Sequence, residues 1–246
     1  MTKDLHELDR LSHELGGARS ALEDRTLVTS DVVITDDQDR QVCTARVTST
    51  LRDRPGQPAH APERAVAGEE PAIATLIESL ASRGANEMPH RGGTLLAHLK
   101  RVHALLTQWG TTPVVQLAGL CHAYYGTDGF PTTLGDVAQR EELAAIIGEE
   151  AERLVYFYAS CDRRFSYPHL GEPEGPFKDR FTGTVTVPPL PLRRDFAELT
   201  AANELDIMQV NSGLRAQYGP GLLRLLTSWR KLLSDPAWRA VQMTLP

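Results

Sequence analysis

The sequence predicts a mainly α-helical fold carrying a small β appendage, and three observations lead there. From Pro71 onward, apolar residues recur three and four apart, the spacing of one helix face, in one segment after another. Ahead of that region, residues 26–51 change character: TLVTSDVVIT and RQVCTARVTSTL are rich in Val, Ile and Thr, and DDQD separates them as a turn, the pattern of a β-hairpin. Between the two lies RDRPGQPAHAPERAVAGEEP, residues 52–71, with four prolines, two glycines and many charges, the composition of a linker. The predicted organisation is therefore an appendage over residues 1–60, a connection over 61–71 and a helical domain over 72–246.

In chain order, the appendage starts with an amphipathic helix over 3–22, where Leu5, Leu8, Leu11, Leu15 and Leu22 keep helical spacing and Gly16-Gly17 weakens the middle. The hairpin follows. Two strands alone are marginal in water, so the helical domain or a second copy of the chain is expected to complete them, and the hairpin is the candidate surface for a homodimer. The first helix of the main domain runs from Pro71 to Arg83 on Ile73, Leu76, Ile77 and Leu80, and Gly84 ends it. The next spans Thr94–Trp109. On a wheel of about 100° per residue, Leu99, Val102, Leu106 and Trp109 cluster within about 40° of Leu95. His98 and His103 both fall inside the apolar arc, and Lys100, Arg101 and Gln108 lie opposite.

Thr112-Pro113 marks a helix start, as N-cap and first-turn proline. Its body, VVQLAGLCHAYY, is apolar all round, with His122 in the last turn and Gly126 placed to end it. Residues 134–161 read as two helices broken at Gly148. Residues 162–192 read as irregular, with RFTGTVTV as a turn or short hairpin. A helix from about Arg193 places Phe196, Leu199, Ile207 and Val210 inward, with Asn203 and Asp206 on the same side. The last predicted helix, Gly221–Leu233, carries leucines and Trp229 for packing.

Composition bounds the function. The 246 residues are 41% hydrophobic and 24% charged, ordinary for a globular protein, and the net charge of −6 argues against a nucleic-acid surface. Cys43, Cys121 and Cys161 have no paired spacing and fit a reducing cytoplasm. No apolar run reaches the roughly 20 residues of a membrane helix. GxxxxGK[ST], GxSxG, CxxC and HExxH are absent, which argues against the P-loop, nucleophile-elbow, zinc-ribbon and zincin readings.

Three helices thus direct His98, His122 and Asp206 toward one interior site. Two imidazoles and a carboxylate suit a divalent metal or a general acid–base pair acting on a small molecule. Around them, His90 and Arg91 precede a helix N-terminus, where backbone N–H groups favour anions. Tyr124, Tyr125, Thr127 and Asp128 follow His122, and Lys178 and Arg180 add cations. Tyr125 joins the candidates for catalysis. His90, Arg91, Tyr124, Thr127, Asp128, Lys178, Arg180 and Asn203 are the candidates for holding substrate.

The ordered motifs HRGGTLLAHL, QWG, LAGLCHAYYGTDGF, GEEAERLVYFYASCDR, RFTG and ANELD resemble an uncharacterised bacterial branch of the HD-domain superfamily of helical metalloenzymes, over roughly residues 72–215. The resemblance implies an HD-like helical bundle and a small-molecule enzyme performing metal-assisted hydrolysis, with iron, manganese or zinc on His98, His122 and Asp206. The superfamily's second histidine is followed by an aspartate, whereas His122 is followed by Ala123. That departure opens three alternatives: a metal-independent acid–base enzyme of specialised metabolism, a mononuclear iron oxygenase, or a non-catalytic protein using the pocket to bind a ligand or partner.

Overall fold

The structure is a computed structural model. It describes residues 27–35, 41–50 and 69–245. The helix expected over 3–22 and nearly all of the linker lie outside the described residues. The appendage hairpin is present as β1 (Leu27–Thr35) and β2 (Gln41–Thr50), paired antiparallel from Leu27↔Thr50, with a register shift between Ile34 and Thr35.

The rest is mainly helical. α1 (Glu69–Leu80) begins two residues before Pro71, buries Leu76 and Leu80, and rests Ile73 and Ile77 against the core. A turn over Ala81–Ala85 follows, with Gly84 in the left-handed region at φ 91°. A two-residue antiparallel ladder, β3 (Pro89–His90) with β4 (Gly93–Thr94), leads into α2 (Leu95–Gln108). Thr94 caps α2 by accepting the Ala97 N–H, and Thr112 does the same for α3 (Pro113–Cys121) through Val115. α3 is shorter than its apolar run suggests. His122 stands at its end, and residues 122–125 continue as turns before Gly126.

α4 (Arg140–Ile147) and α5 (Glu149–Ala159) meet at Gly148, as predicted. The segment read as irregular contains α6 (Arg163–Ser166) and a small hairpin, β5 (Phe177–Lys178) with β6 (Val185–Thr186). α7 (Leu190–Val210) is 21 residues, about 31 Å at 1.5 Å per residue. It is the central element and packs on α2, α3, α5, α8 (Ser212–Ser228) and α9 (Asp235–Thr244). Phe196, Leu199, Ala202 and Leu205 are wholly buried along it, beside Trp229 from the end of α8. Val210, expected inside, is 38% exposed at the end of the helix, with its side chain beside Gly92. α8 continues through Pro220 and stops at Ser228, and α9 is an additional helix.

Candidate functional site

α2, α3 and α7 bring His98, His122, Asn203 and Asp206 to one buried point. His98 lies between flanking leucines of α2 and has no exposed surface. Its Nδ1 is 2.6 Å from Asp206 Oδ2. A carboxylate only accepts, so His98 carries its Nδ1 proton toward Asp206. Arg101, one turn along α2, closes on the same carboxylate with Nε at 2.6 Å from Oδ1 and Nη2 at 3.0 Å from Oδ2. Arg101 also donates to the carbonyls of Arg91 and Gly92, lacing the β3–β4 turn to Asp206. Burial alone would raise the Asp206 carboxyl. The hydrogen bonds from His98 and Arg101 outweigh it and hold the group below the ordinary carboxylate range.

His122 is fixed from the other side. Its Nδ1 donates to the Gly119 carbonyl at 2.8 Å. Gly119 is a close-approach position: a Cβ there would stand 2.3 Å from Leu106 Cδ1, so glycine lets α3 settle on α2 and sets the height of His122 over His98. With both Nδ1 atoms committed, the two Nε2 atoms face each other at 3.3 Å. Asn203 adds Oδ1 at 3.0 Å from His98 Nε2, and its orientation follows from its Nδ2 donating to Glu204 Oε1. Desolvation, then the proximity of His98, pushes the His122 imidazole down to about 3. His90 is stacked on His98 at 4.1 Å between ring centroids and edges onto Phe130, and desolvation followed by the same histidine neighbours takes it down to about 2. Both are neutral at physiological pH.

A cavity of about 50 Å3 opens beside this cluster. His90, Arg91, His122, Thr127 and Asn203 line it, with Ala123, Phe130, Arg163 and Glu204 completing the wall. At roughly 10–15 Å3 per water it holds a few solvent molecules or the reacting end of a small substrate. Arg163 and Glu204, both missed by sequence reading, face each other at 3.7 Å. Arg101 was missed as well, because a wheel sorts by Cα direction and a long side chain can fold back from an exposed flank.

Other candidates lie apart from this cavity. Tyr125 donates its hydroxyl to Glu152 at 3.0 Å, and Arg140 grips the same carboxylate at 2.7 and 2.6 Å. Tyr124 packs under the Arg83 guanidinium. Asp128 accepts the Arg163 backbone N–H, Lys178 pairs with Asp162 at 3.0 Å, and Arg180 donates to the Ala159 carbonyl. His103 stays half-buried on α2, away from the pair.

The metal set implied by the superfamily resemblance does not fit these residues. Asp206 sits on the Nδ1 side of His98, opposite the His98–His122 contact, and its charge is spent on Arg101. Beside His122, where the superfamily has a carboxylate, the cavity wall is the methyl group of Ala123. Among the described residues no three His, Cys, Asp or Glu side chains form a cage for a metal ion.

Comparison with known proteins places one part of the chain. Residues 79–163 match a family model described as a domain of unknown function (DUF6817), about a third of the chain. The match includes His90, His98 and His122 and stops before Asn203 and Asp206. No curated protein and no solved structure matches the chain. Among the described residues, no helix is long and apolar enough to cross a membrane.

Proposed function

We propose that this chain is a small-molecule enzyme working by acid–base chemistry at its paired histidines, without a metal. The observation that supports it most is the asymmetric fixing of the two rings: each Nδ1 is tied down, and both Nε2 atoms are left facing one point beside the cavity. Three lone-pair positions, His98 Nε2, His122 Nε2 and Asn203 Oδ1, converge there. A single proton between these three acceptors satisfies the arrangement.

On this reading His98 carries the proton, and Asp206, itself held by Arg101, orients the ring by accepting its Nδ1 proton, the positioning role of the carboxylate in a catalytic triad. His122, held neutral, stays an acceptor. A substrate atom entering between His122 and Asn203 takes the place of that internal contact and exchanges a proton with His98. The small cavity limits the reacting end to a few heavy atoms.

The test is incubation of the tag-free protein with a cell metabolite extract in D2O, followed by mass spectrometry, with and without a chelator. The expected result is a change in one metabolite that carries solvent deuterium, persists with chelator and vanishes in His98→Ala and His122→Ala. Turnover that requires an added or co-purified stoichiometric metal would overturn the metal-free reading and return the site to metal-assisted hydrolysis.

A further inference from the structure

A second cleft, of about 500 Å3, lies on the other side of the 126–133 segment from the histidine cavity. Thr127 and Phe130 of that segment line the histidine cavity, while Pro131 and Thr133 line the second cleft. Val137 and Phe181 supply the rest of its apolar wall, and Tyr125 and Arg180 its polar groups. Its size is that of a site for a small organic ligand.

Arg180 is prepared for an anion. Its Nε donates to the Ala159 carbonyl at 2.7 Å and its guanidinium lies over the Phe181 ring at 4.3 Å, which fixes the plane of the fork. Among the described residues, no hydrogen bond or ion pair engages its two terminal nitrogens. Two carboxylates are near enough to be felt, Asp128 and Asp179, and both are occupied. Asp128 accepts the Arg163 N–H, and Asp179 accepts the Phe181 and Thr182 N–H groups and the Tyr156 hydroxyl. Partial desolvation disfavours the Arg180 charge, a cost that a bound oxyanion would offset. Tyr125, buried and held by Glu152, is a rigid aromatic floor. Asp136 also lines the cleft, with its Oδ1 accepting the Ala138 N–H.

We propose that this cleft binds a small organic carboxylate, its carboxyl group forked by Arg180 and its apolar body against Phe181, Val137 and Pro131. The inference does not depend on the chemistry assigned to the histidines, since none of them lines this cleft.

The full-length protein, labelled with 15N, is titrated with sodium benzoate and, separately, with inorganic phosphate at constant ionic strength. Benzoate is expected to give saturable shifts at Thr133, Gly135, Val137 and the Arg180 Nε–H. Binding should weaken at least tenfold in Arg180→Gln and by less in Arg180→Lys, which keeps charge but loses the fork. Phosphate should bind more weakly, having no apolar body. No saturable shift, an undiminished response in Arg180→Gln, or shifts centred on Thr127 and Asn203 would overturn the proposal. Phosphate binding equal to or tighter than benzoate would overturn the organic-carboxylate assignment.

Discussion

At the scale of single residues, the arrangement turns on Asp206. It is almost fully buried, and it is tolerated there because His98 and Arg101 supply three hydrogen bonds between them. Asp206→Asn removes the negative charge and leaves Arg101 facing an amide. Losing one partner of a buried pair typically costs about 3–5 kcal/mol, and since Arg101 is about one-third exposed the expected cost is nearer 2–3 kcal/mol, read from the urea midpoint. Arg101→Met tests the other end: the Asp206 carboxyl should rise toward its ordinary range, measurable by 13C NMR of the carboxyl carbon against pH. Of these residues, His98 and Asp206 were legible because a polar group inside an apolar arc is costly and therefore informative. Arg101 was not, because its Cα sits on the flank where arginines are expected. The partner it reaches is 105 positions away, a distance over which a single helix's periodicity carries no information.

At the scale of elements, the crossing of α2 and α3 sets the site's geometry through Gly119. Alanine in a helix interior normally gains about 1 kcal/mol over glycine. Here the added methyl would meet the buried Leu106 side chain, and overpacking of about 1–3 kcal/mol opposes that gain. Gly119→Ala is expected to lower the melting temperature by several degrees and to loosen the His122–Gly119 hydrogen bond, and Leu106→Ala in the same chain should recover part of the loss. A gain in stability would show that the two helices can separate freely. The starts of α2 and α3 were readable because Thr94 and Thr112-Pro113 are local signals that act within one turn. α8 was obscured by Pro220, an interior proline that normally argues for a boundary. α9 had its own start signal, Ser234 followed by Asp235-Pro236, just beyond the leucine-rich stretch 221–233 at which the last expected helix ended. The small β5–β6 hairpin was readable at its turn, within RFTGTVTV, but not at β5, which is tied down by a tertiary link, the Asp162 N–H donating to the Lys178 carbonyl.

For the whole molecule, neutral buried histidines couple stability to pH. His122 titrates near 3 and His90 near 2 in the folded state, against about 6.5 when unfolded. Between these values the unfolded chain binds more protons than the folded one, so stability rises with pH there. It should be fully present above about pH 6.5 and fall progressively below it, by up to about 1.4 kcal/mol per pH unit for each of the two groups. Asp206, whose carboxyl is depressed, adds a further loss at lower pH, as pH drops from the unfolded carboxylate range through its folded value. Chemical denaturation from pH 7 to pH 4 should show this slope, and His90→Asn should make it shallower by about one proton. An unchanged slope would mean that His90 is already protonated in the fold. The link between His98 and Asp206 also spans 108 positions and joins the first part of the helical domain to its central helix. The imidazole Nδ1 proton between them is sealed from solvent by both partners, so its exchange with water should proceed only when the entire domain opens. Its exchange lifetime is thus a clock for global unfolding, readable at one resonance with no substrate in hand.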